Sequence, residues 1–128
     1  MPPDREEALR WVGYAEEDWQ YGLTGLEGFP RPAAWSFHQS AEKYLKATLL
    51  AAGKEPPRTH DLLRLLATVE PGLGPDHELA LAASGLAPFG AASRYPGDLP
   101  DLTMEDARRA RESAATIRGF ARARLGMD

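Results

Sequence analysis

The sequence predicts an all-α protein, an up-and-down bundle of four long helices plus one short helix. Three observations lead there. Apolar residues recur at three- and four-residue steps in window after window, the period of a helix with one buried face. No window alternates apolar and polar with period two, and the chain holds only two Val and one Ile, the residues that favour strands. Short Gly- and Pro-containing stretches punctuate the periodic windows, which suits antiparallel neighbours joined by local crossings. A length of 128 residues fits one domain, residues 1–128.

Helix 1 is expected from about Arg5 to Leu26, with Asp4 as N-cap and an apolar stripe of Ala8, Val12, Ala15, Trp19, Leu23 and Leu26. "GFPRP" then breaks the chain. Helix 2 is expected from about Ala33 to Ala52, with Phe37, Ala41, Tyr44, Leu45, Thr48, Leu49 and Ala52 on a wide apolar face and Gly53 as its stop. Helix 3 follows Thr59 as N-cap and runs to about Val69. Its many leucines suggest a place between other helices. A weaker, Ala-rich helix 4 spans about Asp76 to Leu86. Helix 5 starts at a capping box, Thr103-x-x-Asp106, carries Ala107, Ala110, Ala114, Ile117, Ala121 and Leu125 at helical spacing, and closes at Gly126. Its small side chains let a neighbouring helix approach closely.

Composition narrows the function classes. There is no cysteine, so disulfides and thiolate metal sites are excluded. The N-terminus "MPPDREEALR" is acidic and polar, unlike a secretory leader, and no apolar run approaches the roughly 20 residues of a membrane span. A cytoplasmic protein without membrane contact is expected. The formal net charge of −4 disfavours general nucleic-acid affinity. The charge is uneven: residues 1–30 hold two Arg against seven acids, residues 104–124 six Arg against three acids. Mutual neutralisation of the first and last helices is the expectation.

The polar residues of helix 2 are its unusual feature. His38, Glu42 and Lys46 fall at i, i+4 and i+8, and Gln39, Lys43 and Lys46 line the adjacent strip. This ridge reads either as a solvated face with a Glu42–Lys46 ion pair or as a site, with cations for phosphate and a carboxylate and imidazole for proton work or orientation. His60–Asp61 is expected to open helix 3, where free backbone N–H groups suit an anion, although Asp61 opposes one. Arg94–Tyr95–Pro96 sits in a loop, where an Arg and a Tyr suit a phosphate clamp and a base stack, or a cover for the end of the bundle. Only His38, His60 and His77 are present, without H-E-x-x-H, so no metal centre and no cofactor is expected. Phosphate-loop, dinucleotide and G-x-S-x-G fingerprints do not occur.

These residues stand in an order that resembles the HEPN family, the higher-eukaryote and prokaryote nucleotide-binding domain. The helix "FHQSAEKYLKA", Phe37 to Ala47, followed by "THDL", Thr59 to Leu62, is similar to the family's central signature. "AEEDWQYG", Ala15 to Gly22, looks like its first helix, with Asp18 on the matching Asp. "SRYPG", Ser93 to Gly97, is similar to its R-Y-P-D loop, with Gly97 where the family has Asp. The resemblance implies a bundle of four to five helices, dimeric or higher, often paired with a minimal nucleotidyltransferase in a toxin–antitoxin-like system. It also makes His38, Gln39, Glu42, Lys43, Lys46, His60, Asp61, Arg94 and Tyr95 the candidate ligand-binding residues.

Many relatives of this kind are metal-independent ribonucleases that use an R-x4–6-H motif in the later part of the domain. Here no His follows His77, and Arg31-x6-His38 spans the loop into helix 2. The sequence therefore looks more like the nucleotide-binding branch than the catalytic one. Nucleotide, RNA, a nucleotidyltransferase and a second copy of the chain are the candidate partners. A ribonuclease would rest on His38 or His60 as acid/base, with Arg58 or Arg94 on the phosphate. A non-catalytic oligomerisation adaptor would use Trp11, Trp19 and Trp35 as interface anchors.

Overall fold

The computed structural model describes residues 3–90 and 101–127. Helices account for most of them: α1 (Pro3–Gly25), α2 (Pro30–Ala51), α3 (Leu62–Val69), α4 (Glu78–Leu86), a 3-10 turn (Ala87–Phe89) and α5 (Met104–Arg124). The architecture is an up-and-down helical bundle with no strand among the described residues. α1, α2 and α5 are long, whereas α3 and α4 are eight and nine residues.

The helix ends follow local chemistry. α2 begins earlier than periodicity suggests, because Pro30 and Pro32 are tolerated in a first turn whose N–H groups have no helical partner. "GFPRP" is thus a break and a helix start together. α1 likewise starts at Pro3, which places Asp4 inside the first turn, beside Glu6, rather than at the cap. α2 and α5 close in the same way. Gly53 and Gly126 both sit at φ +75, and the following residues, Lys54 and Met127, return N–H bonds to Leu49 O and Arg122 O. Thr103 and Asp106 form the reciprocal capping box of α5.

α2 is the hub, packing against each of the other four helices. Phe37, Ala41, Tyr44, Leu45 and Leu49 are all buried, each large apolar side chain contributing about 1.5–3 kcal/mol. The α5 stripe from Ala107 to Leu125 is buried at every expected position. On α1, Gly22 lies under the Phe37 ring, where a Cβ would come within 2.7 Å of a ring carbon, and Trp19 meets the same ring edge-on at 5.3 Å. Three of the positions expected on apolar faces are exposed. Leu23 stands out from its stripe one step before the buried Leu26, Ala52 lies just past the end of α2, and Leu63 is exposed because α3 is one-sided rather than enclosed.

Candidate functional site

The polar ridge of α2 is buried to an unusual degree: His38 is 2% and Glu42 4% exposed. Such groups are costly without partners. The ridge separates into three sets of contacts, each on a different neighbour.

His38 faces the end of α4. Its ring stacks on Trp35 with planes 8° apart, and its Nδ1 lies 3.4 Å from Gln39 Oε1. A Cβ on Gly90 would stand 3.0 Å from His38 Nε2, so the glycine leaves room for the imidazole. Burial lowers the His38 pKa below its ordinary 6.5, against the opposing pull of Glu42 and Gln39. Lys43 turns the other way and forms an ion pair with Asp18 of α1.

Glu42 and Lys46 point toward the α2–α3 connection. Lys46 Nζ is 3.0 Å from Glu42 Oε2, and His60 Nδ1 is 3.0 Å from both carboxylate oxygens. The carboxylate is buried and Lys46 nearly so, yet the His60 side chain is 73% exposed. Lys46 also lies 5.8 Å from the centroid of the Trp11 ring. Beyond it opens a groove of about 320 Å³, with Trp11, Leu50, Pro56 and Pro57 as its apolar lining and Lys46 and Arg58 as its cations.

His60 does not lie within the first turn of α3. Asp61 is the N-cap, accepting from the N–H groups of Leu63 and Arg64 at 3.0 and 3.3 Å, and Thr59 Oγ1 accepts from Asp61 N instead. Thr59 and Asp61 are both good caps two residues apart, and the carboxylate takes the helix. That shift leaves His60 on the loop, where it reaches back to α2. Arg94 and Tyr95 lie outside the described residues.

A second carboxylate cluster was not foreseen. Glu16 of α1 accepts a two-pronged contact from Arg118 of α5, at 2.8 and 2.7 Å, and the Tyr44 hydroxyl of α2 donates to the same carboxylate. Arg122 donates to the Tyr44 oxygen at 3.2 Å. Arg118, then Tyr44, holds the Glu16 carboxyl below its ordinary 4.5 despite partial burial. Burial, then Glu16, pushes the Tyr44 phenol up. The acidic first segment and basic last helix meet at two places: Glu16 on Arg118 and Arg122, and Glu27, just past the end of α1, on Arg108. The charge asymmetry was the available signal. It could not reveal that Tyr44, read as a core residue, ties the pair to α2.

The three tryptophans are partly buried within the bundle, Trp19 on Phe37, Trp35 on His38 and Trp11 edge-on to Tyr14. Among the described residues the exposed aromatics are Tyr14, Tyr21 and Phe29. Among the described residues no group of acids and His is placed to hold a metal ion, and no helix is long and apolar enough to cross a membrane.

A helical bundle whose central helix carries a buried His–Glu–Lys ridge, answered by a His–Asp pair after a short loop, defines a class. The HEPN domain model matches residues 6–124, and the chain belongs to the HEPN family. Two solved structures share the fold. TT1696 from Thermus thermophilus superposes with a TM-score of 0.81 at 27% identity, covering 91% of this chain and 97% of that one. ST0689, described as an archaeal HEPN homologue, gives 0.76 at 24%, covering 92% and 97%. No curated protein matches the chain.

Proposed function

We propose that this HEPN domain is a nucleotide-binding and interaction module, working in the cytoplasm as a homo-oligomer beside a minimal nucleotidyltransferase in a toxin–antitoxin-like pair. One observation carries the nucleotide part: the Glu42–Lys46–His60 cluster at the α2–α3 junction. Its buried carboxylate holds an ammonium and an exposed imidazole side by side. The carboxylate occupies His60 Nδ1 and one Lys46 proton, leaving the other ammonium protons, and the Nε2–H of the imidazolium form, to donate to an anion. Exposed Tyr14, Tyr21 and Phe29 support the interaction part. Titration calorimetry with AMP, ATP and GTP tests the reading, and heats that vanish in Lys46→Ala and His60→Ala are expected. No binding of any nucleotide to the wild-type chain overturns it.

The same cluster favours ribonuclease activity as a second reading. A His whose Nδ1 is held by a buried carboxylate is oriented for acid/base work through Nε2. His38, at 2% exposure, is badly placed to meet RNA, so the reading rests on His60. Cleavage of a single-stranded RNA in excess chelator, lost in His60→Ala, is the expected outcome. Full activity in that variant removes His60 from the chemistry.

A further inference from the structure

We infer that the groove beside Lys46 is a base-recognising pocket for a single nucleoside monophosphate whose base carries an amino group. The inference rests on the nucleotide-binding reading above and names the ligand class and its pose.

The size of the groove comes first. About 320 Å³ lies at the small end of ligand pockets, roughly 300–1,000 Å³, and suits one nucleotide. Its lining is next. Trp11, Leu50, Pro56 and Pro57 supply apolar surface, and an indole is the side chain best suited to lie against a base. None of the described residues fills this space.

Charge then selects the ligand. Lys46 and Arg58 line the groove together with Glu7 and Glu55. Glu7 is engaged by Arg10 at 2.9 Å and accepts from the Trp11 indole N–H at 3.3 Å, which fixes the ring at the groove edge. Lys46 is held by Glu42, and His60 stands on the same carboxylate. Two cations and two carboxylates thus balance around the space. A monophosphate matches the cations. A triphosphate brings more negative charge than they neutralise and meets Glu7 and Glu55. The carboxylates have a positive use: they accept from an amino group on a base edge, as adenine presents and uracil does not.

The double variant Trp19→Phe, Trp35→Phe leaves Trp11 as the only indole. Titrated with AMP, it is expected to show saturable quenching, at least tenfold weaker for UMP and weaker again for ATP than for AMP. In the otherwise intact chain, Trp11→Ala is expected to raise the AMP Kd at least tenfold, with Trp11→Phe in between. Arg58→Ala, on an exposed loop, should weaken AMP and inorganic phosphate alike. AMP heats without any Trp11 quenching, and unchanged in Trp11→Ala, would place the nucleotide elsewhere and overturn this inference while the nucleotide reading stands. Equal affinities for AMP and UMP overturn the amino-group selection. Absence of heat with every nucleotide overturns both.

Discussion

Glu16 and Glu42 sit on different helices, each with two basic side chains around it, and they make opposite use of the same pairing. Glu16 is 28% exposed and faces inward onto α5 and α2, where Arg118, Arg122 and Tyr44 close over it from within the bundle. Glu42 is far more buried, but one partner, His60, stands on a loop and reaches solvent. Every partner of the first carboxylate is a helix side chain, so the cluster fastens three helices. The second cluster ends on a loop imidazole and a groove, so its polar atoms remain within reach of a ligand. A buried charge is therefore no guide to function by itself; what separates the two is where the partners of that charge lead.

The largest effect should come from the deeper carboxylate. Glu42→Ala leaves Lys46, 12% exposed, without its counter-charge, and a loss of about 3 kcal/mol is expected, on the order of 10 °C in Tm. Calorimetric melting checks it, and a loss under about 0.5 kcal/mol would erase the contrast with Glu16. Arg118→Ala should cost less, about 1–2 kcal/mol, because both partners are partly solvated and Arg122 still faces Glu16. Nucleotide affinity should be untouched by that change; a parallel drop in affinity would mean that the two clusters communicate.

Acid titration separates the Glu16 cluster from the buried His38 of the ridge. The folded pKa of His38 is depressed, so the unfolded chain takes up its proton first and stability begins to fall as pH drops below 6.5. Glu16 is also depressed when folded, so its contribution is complete above 4.5 and is lost as pH falls through the folded value. Urea midpoints measured from pH 8 to 3 should therefore decline in two stages. His38→Gln should flatten the first and Arg118→Ala the second. The smallest stability effect belongs to His60→Ala, under about 0.5 kcal/mol for so exposed a side chain, together with a clear loss of phosphate affinity. A large Tm change in that variant would make His60 a structural strut.

Much of this bundle was legible in the chain. The α5 stripe, its capping box and the terminal glycines of α2 and α5 depend on residues within a few positions of each other, and local rules read them. Where local rules competed, they could mislead. Thr59 and Asp61 both suit an N-cap, and only the folded backbone decides between them. The ridge of α2 was visible as a pattern, but the pattern could not tell burial from solvation. That depends on α2 being surrounded by all four other helices, a fact about topology. The Glu16–Arg118 contact joins residues 102 positions apart, and Tyr44 reads as an ordinary core aromatic until α1 and α5 are in place.

The contact between Gly22 and the Phe37 ring has a consequence for how this chain can vary. Every single-base change in a glycine codon that yields another amino acid adds a Cβ, and at position 22 that carbon collides with the Phe37 ring. Gly13 and Gly119, with nothing within 4 Å of the added atom, meet no such steric barrier. A Cβ at position 22 forces the Phe37 ring to shift, an overpacking cost of about 1–3 kcal/mol, which a smaller side chain at position 37 relieves. The cheaper order of change is therefore position 37 first and position 22 second.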